Sequence, residues 1–290
     1  MIPPRFEYHA PASLDEAIGL LDRYAGDAKI LAGGQSLLPL MKLRLAGPRA
    51  LVDLNRIPGL AYVREEGGLL RIGALARTND LNDSDLVRTR YPILSDAAAV
   101  ISDPLVRNMG TVGGNAAHGD PSNDLPACMI ALRAAYLVRG PNGTRTVPAQ
   151  EFYLDTFATA LAPNEVLTEI QIPQARPGQG TAYIKLEKRA GDFPIVGIAA
   201  SLVEAGGTIA EAGIGLTAVG PTALRAADAE AALAGHAPDD AAFRRAADLA
   251  QDIARPVSDL RGTAEYKKAM VGLLMRRALE RAHGRARGGR

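Results

Sequence analysis

Lys29-Ile30-Leu31-Ala32-Gly33-Gly34-Gln35-Ser36-Leu37-Leu38 is the stretch on which the reading of this chain turns. Its apolar start reads as a short strand, its end as the opening of a short helix, and the double glycine between them as a loop. Lacking a Cβ, Gly-Gly reaches positive φ without a clash and lets a ligand lie against the main chain, where N–H groups can point at an anion. A second loop of the same kind, Thr111-Val112-Gly113-Gly114-Asn115, follows Arg107-Asn108-Met109-Gly110 and precedes Asp120-Pro121-Ser122-Asn123-Asp124. A single Gly-Gly pair more often marks only a turn. Two pairs, each with a polar residue after it, favour a grip on a pyrophosphate, so the expected ligand is a dinucleotide held by backbone.

Other nucleotide sites fit less well. The Gly-x-x-x-x-Gly-Lys pattern of a P-loop occurs nowhere in the chain. Gly213-Ile214-Gly215-Leu216-Thr217-Ala218 nearly matches a Rossmann fingerprint, but it runs on to Val219-Gly220-Pro221, where a helix should open onto the phosphate. It reads as a glycine-bearing strand.

Composition sets the outer limits. The 290 residues are enough for two domains, and 33 basic against 32 acidic residues give a net charge of +1, which favours neither nucleic acid nor a membrane surface. Cys128 is the sole cysteine. It rules out an intrachain disulfide and cannot hold an iron–sulfur cluster, and in its apolar setting it reads as a small core residue. His9, His118, His236 and His283 are scattered without ligand spacing, so no metal site is readable. The N-terminus lacks an apolar signal region and no apolar run approaches the roughly 20 residues of a membrane span, so a cytoplasmic protein is expected. The basic stretch from Arg276 to Arg290 reads as a solvated helix end that frays.

The coarse layout is α+β. Ser13-Leu14-Asp15-Glu16 is a capping box ahead of an apolar face formed by Leu14, Ala17, Ile18 and Leu21. With a strand near Glu7, strands at 29–31 and 50–54 and a helix after the first loop, the chain begins β-α-β-α-β. Glu66-Gly67-Gly68 and Pro141-Asn142-Gly143 each join two strand-like runs as hairpins in a larger, mainly antiparallel lobe. Pro173-Gln174-Ala175-Arg176-Pro177-Gly178-Gln179-Gly180 marks a domain boundary. Beyond it, strands at 182–188, 195–204 and 208–218 give way to helices near 223–233, 240–254 and 264–282.

Together these motifs resemble the medium, FAD-binding subunit of the molybdenum hydroxylases, the carbon monoxide dehydrogenase and xanthine dehydrogenase family. Further points of likeness are Met1-Ile2-Pro3 leading to Tyr8, Met41-Lys42-Leu43-Arg44, Leu51-Val52-Asp53-Leu54, Ile72-Gly73-Ala74 and Ala264-Glu265-Tyr266. The resemblance implies a two-lobed FAD-binding domain of the vanillyl-alcohol-oxidase (PCMH) type over 1–175, with lobes of about 1–56 and 57–175. A C-terminal domain over 176–290 follows, a three-stranded antiparallel sheet packed on a helical bundle. Two positions depart from the pattern of the carbon monoxide dehydrogenase subunits: Gln35 stands where they often carry His, and Phe193 where they place Tyr near the flavin ring.

For the site, the backbone amides of Gly33, Gly34, Gln35, Gly113 and Gly114 are expected at the pyrophosphate, with hydroxyls of Ser36 and Thr111 beside them. Asn115 and Asp124 are assigned to the sugar or ring polar atoms, against a local reading as Asx turns and helix caps. By resemblance Leu31, Ala32, Ile101, Ser102 and Leu167 wall the cofactor, and Lys185 and Phe193 approach it from the C-terminal domain. Leu37, Gly110 and Val112 complete the cofactor-binding set. No general acid or base is assigned.

The resemblance also implies a division of labour. FAD on this chain would stand between two [2Fe–2S] clusters on a small iron–sulfur subunit and an external acceptor, with hydroxylation at a molybdenum–pterin centre on a large subunit, in a dimer of heterotrimers. A self-contained flavin oxidase or dehydrogenase of the same fold, and an assembly subunit whose glycine loops are turns only, are the alternatives from other classes.

Overall fold

A computed structural model describes residues 2–288; Met1 of the N-terminal motif and Gly289 and Arg290 of the basic tail lie outside the described residues. The chain opens with β1 (Glu7–His9), α1 (Leu14–Arg23), β2 (Ala28–Leu31), α2 (Leu37–Lys42) and β3 (Ala50–Asp53), whose strands form a parallel sheet in the order β1-β3-β2. Ser13 caps α1 by accepting from Glu16 N at 3.2 Å, while the Glu16 carboxylate accepts from Ala12 N rather than from Ser13. Ala17, Ile18, Leu20 and Leu21 are buried in a core that also takes Leu75 and Val166 from the next lobe. That shared core fixes the two lobes on each other.

The second lobe holds β4 (Val63–Glu66) and β5 (Leu69–Gly73), then helices α3 (Thr78–Asp83), α4 (Asp85–Arg90), α5 (Pro92–Val100), α6 (Pro104–Met109), α7 (Val112–His118) and α8 (Asp124–Ala131). β6 (Ala135–Gly140) and β7 (Gly143–Pro148) follow, then α9 (Ala149–Phe152), the small pair β8 (Tyr153–Asp155) and β9 (Ala158–Thr159), and β10 (Val166–Pro173). The five-stranded antiparallel sheet has the order β4-β5-β10-β6-β7, so the last strand of the lobe sits at its centre. Both hairpins form as the turn residues predict.

The C-terminal part is an antiparallel sheet of β11 (Gln179–Leu186), β12 (Val196–Ala205), β13 (Thr208–Thr217) and β14 (Leu224–Arg225), covered by α10 (Ala227–Leu233), α11 (Asp240–Ile253) and α12 (Ala264–Ala286). The fourth strand corrects the expected three. Two residues are too few to show an alternating pattern, and β14 exists through its pairing with Gly215 and Leu216. Gly213 and Gly215 lie in β13 as a strand, and the packing explains them: a Cβ would stand 2.0 Å from Ala131 O and 2.0 Å from Ala127 O of α8.

The basic tail is also corrected. Within the described residues it is not a frayed end, because α12 runs to Ala286, buries Ala278, Leu279 and Ala282, and pairs several of its cations with other elements. Arg285 and Arg281 bind Asp96 of α5 at 2.6 and 3.1 Å, and His283 meets Glu204 at 2.6 Å. Charges at helical spacing look like a solvated face until the partner on another element is known. Cys128 lies in the second-lobe core, where burial pushes its thiol well above the usual range.

Candidate cofactor site

The first glycine loop leaves β2 at Leu31 and enters α2 at Leu37. Gly34 has φ 71°, a left-handed conformation in which a side chain is strained. The N–H groups of Gly33, Gly34, Gln35 and Ser36 have no acceptor among the described residues. Ser36 occupies the position before α2 but makes no side-chain cap, and Gln35 is exposed with one long bond, 3.3 Å, to Gly33 O. Four successive amides and a serine hydroxyl are therefore left to a ligand.

The second loop is built differently: its amides meet acceptors of the protein itself. Gly113 N donates to Ala74 O at 2.9 Å, and Gly114 N donates to Thr111 Oγ1 at 3.1 Å, capping α7. Val112 N and Asn115 N are likewise engaged, with Ala76 O and Thr111 O. These amides are already satisfied within the protein. None of Gly110, Gly113 and Gly114 has a positive φ; close packing requires the latter two. A Cβ on Gly113 would lie 2.5 Å from Ala74 Cβ, and one on Gly114 would lie 2.6 Å from Thr111 Oγ1.

The two loops touch. A Cβ on Gly33 would stand 2.3 Å from Met109 O and 2.8 Å from Gly110 Cα, and one on Gly114 would face Ala32 Cβ at 3.7 Å. Beside the junction, Asn115 donates from Nδ2 to Asn123 Oδ1 at 3.2 Å, while its own Oδ1 is buried without a partner. A buried acceptor without a donor is costly, so this atom fits a hydroxyl or N–H of a ligand. The residues present thus fit a dinucleotide: free amides for phosphate oxygens, and an orphaned acceptor for a neutral polar group.

Asp124 does not cap α8; Asn123 precedes that helix and itself makes no side-chain cap. Its carboxylate reaches the C-terminal domain, where it accepts from Tyr183 Oη at 2.6 Å and lies 3.4 Å from Lys185 Nζ. Burial pushes its pKa up to about 6, opposed by the Lys185 cation and the Tyr183 hydrogen bond. Lys185 is held in turn by Val100 O at 2.9 Å and by Glu187 at 3.2 Å.

The adjoining wall contains Ile101 and Ser102, whose carbonyls accept from Arg107 Nη1 at 3.1 and 2.9 Å. Ser102 has φ 46°, and Gly191 packs on its carbonyl so closely that a Cβ would sit 2.6 Å away. Phe193, two residues on, is 49% exposed, and its loop is anchored where Arg261 meets Asp192 at 2.9 Å. Val112 and Leu167 are members of the second-lobe core; Leu31 lines the inside of the first loop, 3.3 Å from where a Gly34 Cβ would lie. Leu37 opens α2 and Gly110 joins α6 to Thr111.

Sequence reasoning missed Asn55, Arg77 and Tyr183. Each acts across the fold on a residue far away in sequence, and no spacing rule announces such a pair.

Comparison with known proteins agrees with this geometry. The family described as "FAD binding domain in molybdopterin dehydrogenase" matches residues 4–175, and that described as "CO dehydrogenase flavoprotein C-terminal domain" matches residues 181–282. The carbon monoxide dehydrogenase medium chain of Hydrogenophaga pseudoflava is 50% identical over 285 residues, covering 98% of this chain and 99% of that one. The corresponding chain of Afipia carboxidovorans is 46% identical over 287 residues, 99% of this chain and all of that one. A solved structure of carbon monoxide dehydrogenase from Hydrogenophaga pseudoflava, lacking the Mo-pyranopterin moiety of the molybdenum cofactor, contains a chain that superposes with a TM-score of 0.96 at 53% identity. The match covers 98% of this chain and 99% of that one.

Proposed function

The chain belongs to the FAD-binding medium subunits of the molybdenum hydroxylases, and from that premise we propose that it is the flavin station between [2Fe–2S] clusters on a small partner subunit and an external electron acceptor. The large partner subunit of this reading carries molybdenum–pterin, the assembly is a dimer of heterotrimers, and the complex works in the cytoplasm. For the substrate of the whole complex the reading is carbon monoxide, supported by the two relatives of that name at 50% and 46% identity. No helix among the described residues is long and apolar enough to cross a membrane.

The observation that carries the reading is the run of four unpaired amides at 33–36, pressed against the second glycine loop. FAD, when bound, accepts electrons singly and releases them in pairs, which suits it to a place between one-electron clusters and a two-electron acceptor. The chain's residues bind and orient it. The amides of Gly33, Gly34, Gln35 and Ser36 hold phosphate oxygens, the Thr111 hydroxyl retains a proton to donate, and Asn115 Oδ1 accepts from a ligand donor. Lys185, fixed by Val100 O and Asp124, places a cation at the opposite wall, and Phe193 contributes an apolar cover. We divide the chain at about 175, the FAD-binding part before it and the part bearing Lys185 and Phe193 after it.

The test uses the recombinant chain. It should take up one FAD per chain and give a flavin absorption spectrum. Carbon monoxide should reduce an acceptor dye only when the chain is mixed with its iron–sulfur and molybdenum subunits. A chain that takes up no FAD, or one that turns over substrate without partners, would overturn the reading.

A further inference from the structure

We propose that Arg77, oriented by Asn55, is a positioning residue for the cofactor: it locks the two glycine loops together, aims the first free amide and leaves a cation beside the site. This inference rests on the FAD-binding reading. Arg77 stands just before α3, its backbone N–H bound to the Asp80 carboxylate at 2.7 Å and its backbone bridged to Thr111. Its guanidinium forks between the loops. Nη1 donates to Met109 O at 2.6 Å, and Nη2 donates to Asn55 Oδ1 at 2.8 Å. Asn55 then donates from Nδ2 to Ala32 O at 2.8 Å. The path Ala32 O, Asn55, Arg77, Met109 O therefore spans the junction where Gly33 meets Met109 and Gly110.

The peptide plane turns this clamp into a function. In a trans peptide the C=O and the following N–H point in opposite directions. When Asn55 fixes Ala32 O, it therefore fixes the direction of Gly33 N–H, the first of the four unpaired amides. Asn55 is itself held, with Asp53 Oδ1 accepting from its backbone N at 2.9 Å and from Nδ2 at 2.6 Å, and Asp53 Oδ2 accepting from Tyr8 Oη at 2.6 Å. The arrangement orients an amide before a ligand arrives, which reduces the ordering cost of binding.

The charge adds a second effect. Arg77 meets two neutral oxygens, and no carboxylate lies within 4 Å of its guanidinium among the described residues. Its positive charge is not cancelled by an ion pair and acts on an anion at the loops, an interaction that salt screens.

The experiment measures FAD affinity by flavin fluorescence at low and high salt for the wild-type chain and for Arg77→Ala, Arg77→Lys, Asn55→Ala and the double alanine variant. Arg64→Ala, which removes an exposed cation elsewhere, is the control. Arg77→Ala should bind about tenfold or more weakly at low salt and lose part of the wild-type salt dependence. Arg77→Lys should restore the salt dependence without restoring full affinity, because one ammonium cannot reproduce the fork. Asn55→Ala should weaken binding about threefold to tenfold with the salt dependence unchanged, and the double variant should lose less than the product of the two single losses. If Arg77→Ala does not fold, Arg77→Lys and Asn55→Ala carry the same test. Wild-type affinity and salt dependence in these variants, while the wild-type chain binds FAD, would overturn this inference alone. Failure of the wild-type chain to bind FAD would remove the functional reading beneath it.

Discussion

The two glycine loops share a sequence pattern and differ in what their amides do. In the first, Gly33, Gly34, Gln35 and Ser36 have free N–H groups; in the second, Val112, Gly113, Gly114 and Asn115 donate to Ala76 O, Ala74 O, Thr111 Oγ1 and Thr111 O. On the proposed reading the first loop is a binding surface made of backbone, its amides left without a protein acceptor. The second is a joint, in which glycine allows α7 to pack against Ala74 and carry Thr111 and Asn115 to the junction. A Gly-Gly pair thus reports that a side chain is excluded, and the neighbouring chain decides whether a ligand or the protein fills the space.

The sharpest way to break this comparison is to put a methyl group in each loop. Gly113→Ala drives a Cβ to 2.5 Å from Ala74 Cβ and 2.7 Å from Ala74 O, both on a fixed core element. The loss should fall on the fold, about 3 kcal/mol in urea unfolding of the apo chain. Gly33→Ala places its Cβ 2.3 Å from Met109 O, at the contact between the loops rather than in a core. It should cost the apo chain less, about 2 kcal/mol, while the purified protein carries almost no flavin by absorbance. If Gly113→Ala melts like the wild type but loses its flavin, the second loop is a ligand surface after all.

Asp124 extends the comparison to charge. Beyond the second loop, burial raises its pKa from 3.8 to about 6. Between those values the native state holds a proton that the unfolded chain has released. This group's contribution to stability is therefore largest at acid pH and is lost as pH rises from about 4 to about 6. Other carboxylates act the opposite way; Glu230, lowered on balance by Arg133 and Arg225 against its own desolvation, favours folding as pH rises. The difference between wild type and Asp124→Asn isolates the effect. Unfolding free energies across that range should converge at the acid end and separate in favour of Asp124→Asn toward neutral pH, by on the order of 3 kcal/mol. Parallel curves would mean that Lys185 and Tyr183 fully offset the cost of burying the charge.

What could be read from the sequence was local. Turn residues gave both hairpins, Ser13 gave the start of α1, and the alternation of short strands and helices around the first loop gave the β-α-β-α-β order of the first lobe. What could not be read depends on the partner across the fold. Nothing near Gly113 reveals that Ala74 takes its amide, nothing near Arg285 points to Asp96, and nothing near Ala32 points to Asn55 and Arg77. Motifs and resemblance supplied candidates for the site; which of their groups are free and which are occupied depends on the packing of β5, α3 and α7.

The smallest expected effect lies at the first loop's most visible side chain. Gln35 is exposed, it makes one hydrogen bond of 3.3 Å to its own loop at Gly33 O, and its backbone N–H is among the four free amides. If the loop binds through its backbone, the side chain is nearly dispensable, because Ala at this position keeps the amide and loses only a weak, solvent-screened bond. Gln35→Ala should therefore change FAD affinity by less than about threefold and stability by less than about 0.5 kcal/mol. Fluorescence titration of this variant beside Gly34→Ala makes the contrast direct: at Gly34, φ 71° makes any side chain a strain of about 1 kcal/mol on the loop geometry itself. A loss of tenfold or more at Gln35 would show that the loop recognises its ligand through the amide side chain, and the division between a backbone surface and a packing joint would have to be redrawn.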